Sequence, residues 1–417
     1  MRFKICLWFL LGLALLSIHD FRPSAVALAI SPYEFSVVGW ELRNLPDKWV
    51  RRAVNGPRSF LNSPEPGQQA AQVQHYFRLG KRVQAINRQL ITLQAGALPT
   101  AETSRQIAEL RREREDLTDT RNALRPRVEE TLESAVADTL QELGFKAWTG
   151  VFPPVDTALT GSPTVLILSP RERIERIEGG LMSAGLDNDA RERIEARVET
   201  ETEWSALVAN TGGIALYPSI VSDDTQLEYA LEVIAHEWVH QWLWFRPLGR
   251  RYFESGDLTT LNETVATIAG IEIGQLARHR LEGIEPPSLA HPYRPPATGG
   301  HSAPGNPVRF DFQAEMQATR IRVDELLAAG DVNGAEAYME ARRRIFVAEG
   351  YPIRKLNQAY FAFHGAYATT GAAGVSVIGE QVLELRRRSP SLAEFLRTAA
   401  QFTGAEDLAD YVKRNNP

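Results

Sequence analysis

The chain has 417 residues, of which 44% are hydrophobic and 24% are charged, and its net charge is −6. This composition fits an ordinary globular protein of two or three structural units. An acidic chain gives no reason to expect nucleic acid or an anionic lipid surface as a partner.

The N-terminal segment, residues 1–27, has the three parts of a secretory signal peptide. Basic residues precede an apolar run over 5–18, and small residues at 25–27 form a cleavage site of the A-x-A type. We therefore expect an exported protein, found in the periplasm, at the cell surface or secreted. A retained N-terminal anchor is the alternative, and only then is a membrane expected as a partner. Because the single cysteine, Cys6, lies in the apolar run, the mature chain would have neither a disulfide nor a thiolate.

Two long amphipathic patterns follow. Apolar residues recur at spacings of three, four and seven over 68–93 and again over 100–143, with a Gly/Pro break between them. Such spacing predicts two helices that pack as an antiparallel hairpin. The hairpin is either a structural arm or lid, or a coiled coil that binds a partner.

The next segment mixes strand and helix patterns. The run TVLIL at 164–168 predicts a buried strand, and the charged region 172–204 predicts helix with a break at 183–188. Residues 208–221 are again strand-like. They contain Gly212 and Gly213, and adjacent glycines in a strand indicate a bulge or a close backbone approach.

Residues 227–245, LEYALEVIAHEWVHQWLWF, are the most informative stretch. Their apolar positions recur at helical spacing and predict a mostly buried helix. His236 and His240 are four residues apart, so they project from one face, one turn apart, as two ligands of one metal must. Glu237 can take a proton from a metal-activated water. A pair of core histidines is the alternative, although burying these polar groups without partners is costly.

A second apolar helix is predicted over 259–278, and Glu263 stands one turn from its start in the sequence NETVA. An antiparallel return would bring Glu263 over the histidines, whereas a solvated carboxylate at a helix start is the alternative. HExxH followed by NExxA on the next helix resembles the gluzincin metallopeptidases. The resemblance implies a zinc ion held by His236, His240 and Glu263, with Glu237 as the general base. Weaker candidates for the third ligand are Glu254, Asp257 and His279.

The same resemblance implies a role for the strand before the zinc helix. In gluzincin-like enzymes an edge strand at this place holds the peptide substrate in extended form by main-chain pairing. It assigns substrate binding to Gly212, Gly213, Ile214 and Ala215. An ordinary core strand with a bulge is the alternative.

A C-terminal stretch carries the last candidate residues. Tyr360, His364 and Tyr367 share one helix face. Their segment resembles that of exported bacterial aminopeptidase-like members of the group, which implies that Tyr367, or His364, stabilises the oxyanion. An aromatic core stripe is the alternative.

These patterns predict a mainly helical α+β protein with a zincin-like core. Its predicted parts are a signal segment (1–27), a segment with the helical hairpin (28–150), the catalytic core (151–285), and a Pro/Gly loop with a helical C-terminal subdomain (286–417). The predicted activity is zinc-dependent hydrolysis of peptide bonds in a peptide or protein substrate, with an aminopeptidase as one form. The alternatives are a non-catalytic zincin-like scaffold and a zinc hydrolase of cell-wall amides.

Overall fold

The structure is a computed structural model that describes residues 24–46, 66–94, 100–148, 150–285, 310–366 and 377–414. Helices dominate these ranges and two small sheets accompany them, so the predicted mainly helical α+β class is confirmed. The helices are α1 (Ala25–Ile30), α2 (37–46), α3 (Pro66–Gln94), α4 (Ala101–Glu142), α5 (Asn188–Glu201), α6 (Leu227–Trp244), α7 (Pro247–Arg250), α8 (Gly256–Glu282), α9 (Phe312–Ala328), α10 (Val332–Ala348), α11 (Gln358–Gly365), α12 (Val377–Arg388), α13 (Leu392–Ala399) and α14 (Ala405–Arg414). The strands are β1 (Thr157–Thr160), β2 (Thr164–Pro170), β3 (Ile177–Met182), β4 (Trp204–Asn210), β5 (Gly213–Ile214) and β6 (Ser219–Ser222).

Helices α3 and α4 form the predicted antiparallel hairpin. Arg82 pairs with Glu113 at 2.7 Å, and the Arg121 guanidinium lies 4.6 Å from the centre of the Tyr76 ring. The base of the hairpin belongs to the main hydrophobic core, where Tyr76 and Leu132 are fully buried, while its outer half is largely exposed. The hairpin is therefore anchored in the core and is not a detached arm.

The strands form two sheets of three strands each. In the first, with order β1-β6-β5, β1 is parallel to β6 and β5 is an antiparallel edge strand. In the second sheet, with order β3-β2-β4, both strand pairs are antiparallel. Helix α5 packs against one face of this sheet, and helix α11 packs against the opposite face.

Strand β3 corrects one part of the prediction that 172–204 is helical with a break at 183–188, namely the part before the break. Ile177–Met182 pairs with β2, every residue of which is buried, and only the later part of the region is helical, as α5. Gly180 has φ +138°, a backbone conformation that a helix does not contain. Pairing with a buried strand therefore outweighed the local charge pattern.

The C-terminal helices attach to two different cores. Helices α9, α10 and α11 share a cluster that includes the fully buried Phe346 and Phe361. Helices α12 to α14 pack instead into the main core with α6 and α8. The predicted loop over 286–307 lies outside the described residues, and so does the apolar run of the predicted signal peptide. No helix in the described ranges has the length and apolar character that a membrane crossing requires.

Two glycines one turn apart on α8 allow a small separation between α6 and α8. A Cβ at Gly270 would lie 2.9 Å from the His236 Cβ, and a Cβ at Gly274 would lie 2.6 Å from the Glu232 Cα. Real Cβ atoms do not approach other atoms this closely. Only glycine therefore allows α8 to run close enough to α6 for side chains of both helices to share one site.

Glu232, which packs against Gly274, gives the fold a predicted pH dependence. Burial, reinforced by the Glu228 carboxylate, raises the pKa of Glu232 to about 7. Between pH 4.5, the ordinary pKa of a glutamate, and about pH 7, Glu232 keeps its proton in the folded chain and releases it in the unfolded chain. The free energy of unfolding therefore falls as pH rises through this window. We expect Glu232→Gln to raise the midpoint of urea unfolding at about pH 8 and to leave it unchanged near pH 4, where both states are protonated.

The exposed Glu109, on the outer half of the hairpin, provides the matched control. Glu109→Gln should shift neither midpoint, because substitutions of exposed surface residues usually change stability by less than about 0.5 kcal/mol. An equal gain for Glu232→Gln at both pH values would contradict the assignment.

Candidate metal centre

Three side chains from α6 and α8 converge on one point. The Nε2 atoms of His236 and His240 lie 2.9 Å apart, and Oε2 of Glu263 lies 3.5 Å from each. The point equidistant from these three atoms is about 1.9 Å from each, close to zinc–nitrogen and zinc–oxygen bonds of about 2.0–2.2 Å. Within the described ranges this is the only group of three His, Cys, Asp or Glu side chains so arranged. These residues can hold a metal ion.

The protonation of His240 follows from its second nitrogen. Asn262 Oδ1 lies 2.8 Å from His240 Nδ1, while the amide nitrogen of Asn262 donates to the Leu248 carbonyl. Nδ1 is therefore the donor, and a neutral His240 ring presents the Nε2 lone pair to the centre. A lone pair 2.9 Å from another ring nitrogen needs a proton or a cation between them, so the pair fits a shared metal ion.

The electrostatics of Glu263 also fit a cation. Its carboxylate is buried, and Oε2 accepts no hydrogen bond of normal geometry. Burial alone would raise the pKa of Glu263, but His240 and then His236 and Arg176 lower it well below its usual value. The residue therefore stays ionised, and a buried anionic oxygen without a hydrogen-bond donor is costly unless a cation compensates it.

Tyr252 and Arg176 hold the other carboxylate oxygen, and the sequence did not point to either. The Tyr252 hydroxyl donates to Glu263 Oε1, and Arg176 Nη1 lies 3.8 Å from the same atom. Tyr252 sits in the short link between α7 and α8, with its ring centre 6.0 Å from that of His240. The feature of the sequence that could have pointed to Tyr252 is its place beside Phe253, in the short link between the helix of the histidines and the helix of Glu263.

Glu237 lies beside the three ligands and against the edge strand. It is buried, and burial raises its pKa, although His236 and His240 act in the opposite direction. A Cβ at Gly213 would lie only 2.6 Å from Glu237 Oε1, so the backbone of β5 passes directly over the carboxylate. Any substrate that paired with this strand would be brought next to Glu237.

The four predicted substrate residues lie at this strand. Gly213 and Ile214 form β5, Gly212 precedes it and Ala215 follows it. The predicted edge position is observed, and the predicted binding role stays a prediction.

In the part of the chain that the structure describes, neither of the two residues predicted to stabilise the oxyanion is observed in contact with the candidate metal centre. Tyr367 lies outside the described residues. His364 is on α11, its ring centre 4.2 Å from that of Tyr360, and burial lowers its pKa to about 4. Within the described ranges it forms no hydrogen bond with the three ligands. Its neighbour Phe363 stacks under Arg176, which in turn approaches Glu263, so α11 reaches the site through Arg176.

The weaker ligand candidates Glu254, Asp257 and His279 do not join the metal group. The other acid of α8, Glu272, makes a buried ion pair with Arg386 of α12, with nitrogen–oxygen distances of 2.9 and 2.8 Å. It is therefore a structural residue.

The hairpin fixes the residues just before α6. Arg121, which is buried, donates to the Asp223 carboxylate at 3.3 Å, and Gln84 Nε2 donates to the Asp224 carbonyl at 2.7 Å. These contacts hold the start of the helix that carries both histidines, which gives the hairpin a supporting role for the site.

No protein-family model matches this chain, and no curated protein or solved structure shows significant similarity to it.

Removal of the Tyr252 hydroxyl should weaken metal binding. In the Tyr252→Phe variant Glu263 Oε1 loses its donor, so the carboxylate is free to rotate away from the histidines. We expect zinc affinity to fall about 10- to 100-fold, as found for hydrogen-bond partners of metal ligands. Competition with a chelator of known affinity measures this, and Phe253→Leu, at an adjacent exposed ring, is the control. Affinity within two-fold of the parent chain would show that Tyr252 does not hold the ligand.

Proposed function

We propose that this chain is an exported zinc-dependent peptidase with a zincin-like core. The convergence of His236, His240 and Glu263 on one point is the observation that supports it. Two imidazole nitrogens and one carboxylate oxygen are the donor set of many catalytic zinc sites, in which a fourth position stays open. The partial exposure of both imidazoles is consistent with such an open position.

In this proposal the chain's own residues divide the work. A zinc ion supplies Lewis acidity, making water easier to deprotonate and a carbonyl easier to attack. Glu237 accepts the proton from the attacking water and then delivers it to the leaving amine. Its buried position suits this exchange, because burial raises the pKa and favours holding the proton between the two steps. His364 or Tyr367 remains the proposed donor to the oxyanion.

The edge strand supports a peptide as the substrate. An extended peptide adds to an exposed strand edge through main-chain hydrogen bonds, and β5 offers such an edge beside Glu237. A peptide paired there would lie close to Glu237, because the backbone at Gly213 is in contact with the Glu237 carboxylate. The arrangement supports peptide-bond hydrolysis, whether at the end of a chain or within it.

The experiment combines metal analysis with substrate screening. We expect the purified chain to bind one zinc ion, to lose hydrolysis on chelation and to recover it with zinc. His240→Ala should lose both metal and activity, whereas His279→Ala, at a histidine outside the metal group, should keep both. Peptides with free and with blocked amino termini would separate an aminopeptidase from an endopeptidase.

Three results would contradict the proposal. A chain that binds no zinc has no metal centre, and a zinc-bound chain inactive on every amide tested is a non-catalytic scaffold. Turnover of muropeptides alone would identify a cell-wall amide hydrolase.

A further inference from the structure

Four exposed aromatic side chains form what we call the aromatic patch: Trp148, Phe152, Trp244 and Phe245. Their exposed fractions are 102%, 55%, 62% and 50%. Large aromatic side chains normally bury much of their surface, and a cluster that leaves so much in water marks an interaction site.

The patch is built from two segments that pack together. The rings of Phe152 and Phe245 are 5.2 Å apart, and Trp238 Nε1 of α6 donates to the Pro153 carbonyl at 2.7 Å. The buried Phe145 packs edge-on against Trp242. Phe145, Phe152 and Pro153 therefore lie against the C-terminal half of α6 and the residue that follows it.

The side chains of the patch stand at a turn and at a helix end. Backbone hydrogen bonds between Ala147 and Gly150 close the turn that contains Trp148. Trp244 and Phe245 stand at the end of α6, and each is at least half exposed. Aromatic side chains this exposed can enter a soft interface without rearrangement of the core.

The charge around the patch differs from that of the whole chain. The chain has 52 Asp and Glu residues, but the segments 143–155 and 238–253 contain none. The first segment contains Lys146, and the second contains Arg246, Arg250 and Arg251. Arg250 donates to the Phe245 carbonyl at 3.3 Å, and the Arg246 guanidinium stacks 3.4 Å from the centre of the Trp242 ring.

We propose that the aromatic patch docks the protein on an anionic phospholipid surface. Tryptophan is favoured at the boundary between headgroups and acyl chains, and nearby basic residues are attracted by anionic headgroups. The acidic remainder of the chain does not prevent this, because salt screens charges beyond about 8–10 Å. The docking surface is independent of the proposed peptidase activity and of the N-terminal segment.

Site-specific labelling of the full chain tests the proposal. Cys6→Ser removes the only cysteine, and Trp148→Cys then places one environment-sensitive fluorophore in the turn. With vesicles of phosphatidylglycerol and phosphatidylcholine in equal amounts, we expect its emission to shift to shorter wavelength and to be quenched by spin-labelled lipid. A label introduced by Ile91→Cys, an exposed apolar position on the hairpin, should remain in water.

Two further measurements use the same label. Phe152→Ala should weaken insertion of the label at 148 about ten-fold, because the variant lacks one exposed aromatic ring that leaves water on docking. Vesicles of phosphatidylcholine alone should give little insertion. A label at 148 that stays in water on the vesicles, insertion unaffected by Phe152→Ala, or equal insertion into both lipid mixtures would overturn the proposal. The proposal would also be overturned if the label at 148 became shielded from water with a soluble protein but not with the vesicles.

Discussion

Glu237→Gln is expected to abolish peptide hydrolysis while the bound metal is retained. Glutamine has nearly the same shape as glutamate but cannot accept a proton from water, so the reaction loses its base. General-base catalysis contributes about 10²–10⁴-fold, and we expect a loss at least that large in kcat. The metal content should stay the same, because Glu237 is not among the three residues that can hold the ion.

The control for this variant is Glu228→Gln on the same helix. Glu228 is exposed and pairs with Arg278 at the surface, so hydrolysis should be unchanged. If Glu237→Gln kept most of its activity, another group would have to take the proton. If the variant lost its metal as well, Glu237 would be a ligand and not a base.

Arg386→Ala is expected to lower the free energy of unfolding by about 3–5 kcal/mol, the usual cost of leaving one partner of a buried ion pair alone. The side chains of Arg386 and Glu272 are only 6% and 4% exposed, so water cannot replace the lost guanidinium. The pair joins α12 to α8, the helix that carries Glu263. Urea unfolding of the metal-free chain measures the loss.

The neighbouring Arg387 offers a matched control, because its pair with Glu384 is at the surface. Arg387→Ala should cost less than about 1 kcal/mol, as exposed ion pairs do. Replacing Arg386 with Met and Glu272 with Leu together should recover much of the stability, since no buried charge then remains. Equal losses for the two arginine variants would show that the buried pair has no special role.

The parts of the fold that the sequence predicted are those whose pattern is local. The hairpin and the helix with the HExxH motif have long apolar repeats, and helix formation depends on residues three and four apart. The same local rule placed His236 and His240 on one face. Strand β3 could not be predicted in this way, because its structure comes from pairing with the buried strand β2.

The choice of Glu263 as the third candidate ligand depended partly on the sequence and partly on the tertiary structure. The sequence motif selected Glu263 from the acids of α8, but its approach to the histidines depends on Gly270 and Gly274, which allow close contact between the helices. Sequence analysis did not identify Tyr252, Arg176 or Asn262 as residues that orient the candidate ligands. Each lies far from at least one of its contacts along the chain, and only folding brings them together.

The sequence by itself therefore predicted a mainly helical protein, with two histidines on one helix face and Glu263 on the next helix as the third candidate ligand. The tertiary structure alone decided how the helices cross, which donors hold Glu263, and where exposed aromatic residues gather. The physical reason is that helix periodicity is a property of neighbouring residues, whereas burial, long-range hydrogen bonds and surface shape are properties of the packed chain.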